Sequence, residues 1–350
     1  MSGEFDFIEL IRERAARCMD RSMAGSADLS TGIGDDAAII VEQGGRETLL
    51  TVDLLVEDID FRLEYAIPRW LGHKALAVSL SDVASMGGKP RFALLTLGIP
   101  PALVPRAAND HGYQFWEGFF DGYFELAGLH QVTLIGGDIS ATPERLTIDS
   151  FLVGHCQRGK AIRRNGAKVG ESIYVTGELG GSAVGLRMLL SGERAELNRT
   201  DLLQSALCAH LAPVPRVDFG RLLGESQLVS AMIDVSDGLT SDLAHICMAS
   251  GVGAIIDYTS VPLSPMLDLV EYSQADRFEF AIGGGEDFEL LFTAPAAAED
   301  RLRELAGPSL RLSRIGKIVG SEASGRPLLS LEGDGPMRPL NVRGFNHFSP

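Results

Sequence analysis

Leu228-Val229-Ser230-Ala231-Met232-Ile233-Asp234-Val235-Ser236-Asp237-Gly238-Leu239 is an apolar run that ends in two aspartates flanking a serine. A new apolar period then opens at Leu239, Leu243 and Ile246. The run reads as a strand over 228–235 and the period as a helix closed by Gly251. Strand, turn and helix in that order are the unit of an α/β architecture. Strand alternation places Asp234 and Ser236 on one face, and Asp237 stands where a helix N-cap belongs. One capping aspartate stabilises a helix by about 1 kcal/mol, which leaves Asp234 and Ser236 for other work. A helix N-terminus attracts phosphate through its free N–H groups. Anionic side chains there point instead to a phosphate held through a metal ion.

The same chemistry recurs along the chain, in Gly34-Asp35-Asp36, Thr51-Val52-Asp53, Leu80-Ser81-Asp82, Gly136-Gly137-Asp138 and Gly283-Gly284-Gly285-Glu286-Asp287. Carboxylates on turns and element ends supply the oxygen ligands that Mg²⁺ takes together with substrate phosphates. Taken singly, Asp82 reads as the solvated face of a helix and Asp138 as a turn at a strand end. Asp53 lies in an apolar strand, on the same face as Thr51, and a buried aspartate must be paired or metal-bound. Gathered in one place, such groups repel by about 4 kcal/mol per pair at ~4 Å and an effective dielectric of ~20. Convergence would therefore imply bound cations, and dispersal would imply ordinary turns.

Outward from these segments, Phe7, Ile8, Ile11 and Ala15 have helical spacing. Strands are expected over 38–41, 49–56, 91–99, 132–135 and 146–153, with helices through Leu76–Val83 and over 109–129. The stretch 158–170, rich in Lys, Arg and Gly, reads as a boundary. Beyond it come a strand over 172–176, a helix over 182–190 capped by Ser182, a helix within 198–215 and a strand over 288–293. The tail from Ser321 is Gly- and Pro-rich without a period. Two mixed α/β domains of similar size are expected, 1–158 and 159–350. Gly154-His155-Cys156-Gln157-Arg158-Gly159-Lys160 fits a phosphate-loop spacing, but Ala161 replaces the metal-binding hydroxyl and Asn165-Gly166 follows instead of a helix. Gly177–Gly185 lacks a lysine and reads as a helix-entry turn.

The 350 residues are 45% hydrophobic and 22% charged, ordinary for a folded domain pair, with a formal net charge of -16. That charge excludes a basic nucleic-acid surface. The four cysteines form no C-x-x-C pair and the seven histidines no H-E-x-x-H, so neither a disulfide framework nor a zinc site is expected. No leader pattern and no membrane-length apolar run is read, and a cytoplasmic protein is expected.

In order and spacing these segments resemble the thiamine-monophosphate kinase family, within the aminoimidazole-ribonucleotide synthetase-like (PurM-like) superfamily. The resemblance rests on Gly3-Glu4-Phe5, Gly32-Ile33-Gly34-Asp35-Asp36, Lys74-Ala75-Leu76-Ala77-Val78 with Ser81-Asp82, Gly136-Gly137-Asp138, Asp234–Leu239, Gly284-Gly285-Glu286-Asp287 and Gly344-Phe345-Asn346-His347-Phe348. It implies two PurM-like domains with the active site in the cleft between them and a homodimer formed through the N-terminal domains. It also implies ATP-dependent conversion of thiamine monophosphate to thiamine diphosphate with several Mg²⁺ ions. Asp36, Asp53, Asp82, Asp138 and Asp234 would ligate these ions, with Thr51 and Val52 beside them and Asp237 holding a further one. Gly137, Arg164 and Ser236 would contact ATP, and Asp60, Glu286 and Phe345 the acceptor. Val52 stands where the family generally has Thr, and Asp60 where it usually has His. The ending His347-Phe348-Ser349-Pro350 lacks the terminal cysteine of the hydrogenase-maturation branch. An aminoimidazole ribonucleotide synthetase and a non-catalytic nucleotide or metal scaffold remain as other readings.

Overall fold

The structure, a computed structural model, describes residues 4–18, 28–196, 198–321, 329–333 and 337–345. Gly3 and Asn346-His347-Phe348 of the quoted motifs lie outside the described residues. After helix α1 (Glu4–Cys18), the first half builds a six-stranded sheet in the order β1-β2-β3-β6-β4-β5. Its strands are β1 (Leu29–Thr31), β2 (Ala38–Glu42), β3 (Arg46–Val56), β4 (Lys89–Ile99), β5 (Thr133–Ala141) and β6 (Thr147–Gln157). Helices α2 (Pro68–Ser85) and α3 (His111–Leu129) connect them. Among the described residues of this sheet only β4 and β5 pair in parallel, so the sheet is mixed.

The second half holds a seven-stranded sheet, β13-β12-β9-β11-β7-β10-β8. Its strands are β7 (Ser172–Thr176), β8 (Ala231–Asp234), β9 (Val252–Asp257), β10 (Leu290–Ala294), β11 (Leu312–Gly320), β12 (Leu329–Glu332) and β13 (Arg338–Pro339). Around it lie α4 (Gly181–Leu190), α5 (Leu202–Leu211), α6 (Val217–Ser226), α7 (Leu239–Ser250), α8 (Gln274–Gly283) and α9 (Glu299–Ala306).

Helix α2 lies at the centre of the architecture. Pro68 opens it, where a missing N–H costs nothing. It then buries residues on every side, because the sheet, α3, α6 and β8 all pack on it. Its contact with α3 is close enough that a Cβ at Gly72 would lie 1.8 Å from Phe119 O, and one at Gly122 1.7 Å from Arg69 O. One core runs from Leu76, Leu80 and Phe119 into Phe219, Met232 and Phe292 of the second half. Strand period then divides the second sheet: Tyr174 faces this shared core, while Ile173 and Val175 face a separate core with Leu243 and Ile246. Fully burying side chains of this size stabilises by roughly 1.5–3 kcal/mol each, so the two halves are joined by their interior.

Several expectations are corrected. Gly136-Gly137-Asp138 lies inside β5, not at its end, because Gly137 at φ 154 lets the strand run past Leu95, whose carbonyl O would sit 1.8 Å from a Cβ. Ser182 is not a cap; Gly180 holds that position at φ 89. Gly238 caps α7 at φ 124, so Asp237 is not the cap either. The helix within 198–215 covers only 202–211, capped by Asp201, whose side chain accepts from Gln204 N–H. The aperiodic tail contributes β12, which pairs in parallel with β9. Elements α6, α8, α9, β9 and β11 have no counterpart in the sequence reading; the nearly fully buried run of β9 carries no alternation to read. Residues Gly154–Gln157 of the phosphate-loop look-alike continue β6, in line with its rejection.

Candidate active site

Serines inside the apolar helix α2 orient the acidic residues around it. Ser85 Oγ donates to Asp36 Oδ2 at 2.6 Å, Ser81 Oγ to Asp234 Oδ2 at 2.5 Å, and Ser79 Oγ to Asp53 Oδ2 at 2.7 Å. Thr51 Oγ1 donates to Asp82 Oδ2, so Thr51 and Asp53 do share the inward face of β3. One carboxylate oxygen each from Asp36, Asp82 and Asp234 lies within 4.8 Å of the others. These three residues come from a loop, a helix and the second sheet, and they converge where the halves meet. Asp82 therefore does not occupy an open solvated face; it is partly buried and turned toward Thr51, Asp36 and Asp234.

Burial and mutual repulsion show in the acidities. Desolvation, then Asp149 and Asp36, push Asp53 up to about 6. Desolvation and Asp36 push Asp234 to about 7, and Asp82 is raised well above the usual range by desolvation, Asp53, Asp234 and Asp36. Arg164 answers only part of this charge, placing Nε 2.9 Å from Asp36 Oδ1. Oxygen donors from three clustered carboxylates, two of them buried and one partly buried, fit a hard divalent cation. A second group, Asp237, Asp242 and His245, also places one ligand atom each within 4.8 Å. Asp242 accepts from Gly238 N–H at 3.0 Å.

Beside the carboxylates lies a cavity of about 840 Å³ lined by Asp53, Asp60, Ser236, Asp237, Glu286 and Phe345. Glu286 meets Lys74 Nζ at 2.7 Å and His210 Nδ1 at 3.0 Å. Phe345 presents a half-exposed ring, its backbone N–H bound to Asp237 O at 3.1 Å. At the Gly177–Gly185 turn, the start of α4 is filled by Asp287, which accepts from Gly180 N–H at 2.7 Å and Ser182 N–H at 3.2 Å. That terminus holds a carboxylate, not a phosphate.

Two expected ligands stand apart. The Val52 side chain is 57% exposed on the outer face of the sheet. Asp138 is exposed on edge strand β5, and its register with Thr96, Asp149 and Leu54 puts it on that outer face, opposite Asp53.

The AIR synthase related protein family models match this chain, the N-terminal domain over residues 34–156 and the C-terminal domain over 168–326. Thiamine-monophosphate kinase of Bacillus subtilis is 34% identical over 99% of both chains, and that of Salmonella typhimurium is 36% identical over 99% of this chain and 98% of the relative. The chain belongs to the thiamine-monophosphate kinase family. Among solved structures of this kinase family, that of AaThiL complexed with AMPPCP and TMP superposes with a TM-score of 0.78. It is 31% identical and covers 99% of this chain and 97% of its own.

Within this kinase framework, the motif reading passed over Ser79, Ser85, His210, Asp242 and His245, and it quoted Lys74 and Ser81 without a role. A signal was present in α2: a lysine and three hydroxyls inside an apolar helix must find partners when buried.

Proposed function

We propose that this chain transfers the γ-phosphoryl group of ATP to thiamine monophosphate, giving thiamine diphosphate and ADP. The carrying observation is the meeting of Asp36, Asp82 and Asp234 from both halves beside a cavity that contains Glu286 and Phe345. Residues 1–158 and 159–350 serve as the two domains.

The acceptor is a phosphate monoester whose second pKa near 6 leaves it largely dianionic at neutral pH. Its oxygen can attack without help, so no general base is assigned. Asp36, Asp53, Asp82 and Asp234 would hold Mg²⁺, with Thr51 and the Val52 backbone beside them and Asp237 taking a further ion; Asp138 would hold Mg²⁺ from the outer sheet face, apart from this group. Mg²⁺ bound there supplies the charge neutralisation that two polyanions need to approach each other. Arg164 adds a fixed positive charge next to Asp36. Ser236 and the bare backbone at Gly137 would contact the nucleotide, Gly137 by allowing close approach. Asp60 and Glu286 offer acceptor oxygens to the thiamine part, and the Phe345 face suits a cationic heterocycle. Transfer is direct and in line; a phosphorylated enzyme intermediate would count against it.

Among the described residues no helix is long and apolar enough to cross a membrane. A cytoplasmic homodimer is the form proposed, a second copy covering the exposed Val52 and Leu54 on the outer sheet face. A single-chain mass in light scattering would remove that part.

The test is Mg²⁺-dependent ADP release with thiamine monophosphate and, separately, formylglycinamidine ribonucleotide. Release with the first alone supports the proposal. Release with the second alone assigns a ribonucleotide synthetase, and release with neither leaves a scaffold.

A further inference from the structure

We infer that Lys74 and His210 are positioning residues for Glu286, one on each carboxylate oxygen, leaving its remaining lone pairs aimed into the cavity for the acceptor. The inference rests on the proposed acceptor and deepens the account of that site.

Lys74 is 2% exposed within α2, and His210 is 3% exposed in α5. Lys74 Nζ lies 2.7 Å from Glu286 Oε1 and 3.4 Å from the backbone O of Asp60. His210 Nδ1 lies 3.0 Å from Glu286 Oε2 and 3.1 Å from Ser182 Oγ. The Glu286 side chain keeps 29% exposure, and Glu286 lines the cavity. An ionised carboxylate has about four lone-pair sites and donates nothing. Lys74 and His210 engage two of them, which leaves two for an N–H donor or a cationic ring.

The backbone fixes the same geometry. Glu286 is in the left-handed region at φ 62, a strained conformation for a non-glycine residue. Its N–H is tied to Ser236 O at 2.7 Å. A non-glycine residue held there by its surroundings fits a side chain whose direction matters.

Burial alone would push the Glu286 carboxyl up, but Lys74 and then His210 override it and hold it at about 2. His210 itself is lowered, first by burial and then by Lys74, so near neutrality its ring is uncharged and donates from Nδ1. The other titratable or charged groups lining the cavity are Asp53 on β3, Asp60 and Tyr65 in the connection to α2, Arg187 on α4 and Asp237 before α7.

The experiment measures thiamine monophosphate binding by calorimetry, with a non-hydrolysable ATP analogue and Mg²⁺ present, between about pH 6 and pH 8. The variants are Lys74→Met, Lys74→Arg, His210→Gln, and Lys74→Met combined with Glu286→Gln. The KM values for both substrates and the Tm are recorded in parallel. Removing Lys74 lets burial dominate, so Glu286 takes up a proton as pH falls. Relative to wild type at the same pH, the Lys74→Met protein should then bind the acceptor at least about tenfold more weakly at the acid end than it does at the alkaline end, with the ATP KM changed less than about threefold. Lys74→Arg should restore the wild-type profile. His210→Gln, which keeps a donor, should weaken acceptor binding only a few-fold. The double variant should bind weakly at every pH.

Equal weakening toward ATP and acceptor, independent of pH and following a loss of Tm, would reduce Lys74 to a structural tie between the halves. An acid-side loss, beyond that of wild type, that persists in the double variant would remove Glu286 from the account. Wild-type protein that binds thiamine monophosphate without turning it over would overturn the kinase reading and leave this inference standing; failure to bind would overturn both.

Discussion

Ser81 Oγ donates to Asp234 Oδ2 at 2.5 Å, joining the central helix of the first half to the last strand residue before the acidic turn of the second. Both side chains are buried. Hydrogen bonds to charged groups are worth about 1.5–3 kcal/mol, and this one also fixes one member of a three-carboxylate group contributed by both halves. Ser81→Ala should lower unfolding free energy in urea by about 1–3 kcal/mol and raise the Mg²⁺ concentration for half-maximal ADP release several-fold. A stability loss with an unchanged Mg²⁺ requirement would mean that Ser81 ties the halves together without orienting a ligand.

The carboxylate group also predicts how metal and pH interact. Asp53 and Asp234 have folded-state pKa values raised from 3.8 to about 6 and about 7, principally by burial. A raised value favours the protonated form in the folded state. The associated stability is complete below the unfolded value and is lost as pH climbs through about 6–7. His245, lowered to about 4 by burial, works in the opposite direction below its ordinary value of 6.5. The comparison that isolates the carboxylates is the difference in Tm with and without Mg²⁺. That difference should widen between about pH 5 and pH 7.5, as the metal-free protein comes to hold unprotonated aspartates without a counter-charge. A constant or narrowing difference would place metal binding elsewhere.

Much of this was readable before any coordinates, and the reasons are local. Asp53 stood out because an aspartate in an apolar strand needs a partner, and β3 does point it inward to Ser79. The 228–239 stretch announced strand, turn and helix because composition changes there from a buried run to a helical period. Asp82 was misread because a helix surrounded on all sides offers no alternation, and its burial comes from β8 and α6, which are remote in sequence. Asp237 reads as a cap from sequence, but Gly238, free to adopt φ 124, displaces the helix start by one residue. The Glu286 partners were hidden for a similar reason. Lys74 and His210 lie 212 and 76 residues away by their numbering, and no period links them to the Gly283–Gly285 turn.

Asp138 gives a sharper test, since it sits on the outer sheet face away from the three gathered carboxylates. An exposed strand residue of this kind changes stability by no more than about 0.5 kcal/mol when replaced isosterically. Asp138→Asn should therefore leave the urea transition in place. If Asp138 binds metal shared with the nucleotide, the same substitution should lower kcat at least about a hundredfold. Wild-type turnover would refute the metal role and leave Asp138 as an ordinary edge-strand charge.

Phe345 tests the other end of the cavity. Its ring is half exposed and lines the same space as Glu286, while its backbone N–H is fixed to Asp237 O at 3.1 Å, so the main chain there is set by the acidic turn. A ring that faces a cationic heterocycle contributes about 0.5–2 kcal/mol, which is about 2- to 30-fold in an equilibrium constant. Phe345→Ala removes the ring and retains the backbone contact. The acceptor KM should rise within that range while the ATP KM stays within about twofold, because the ring serves binding of the thiamine part and not the phosphoryl transfer. Phe345→Tyr should behave nearly as wild type, since it keeps the aromatic face. If the alanine variant raised both KM values equally, the ring would be supporting the turn that carries Asp237 and the nucleotide side of the cleft.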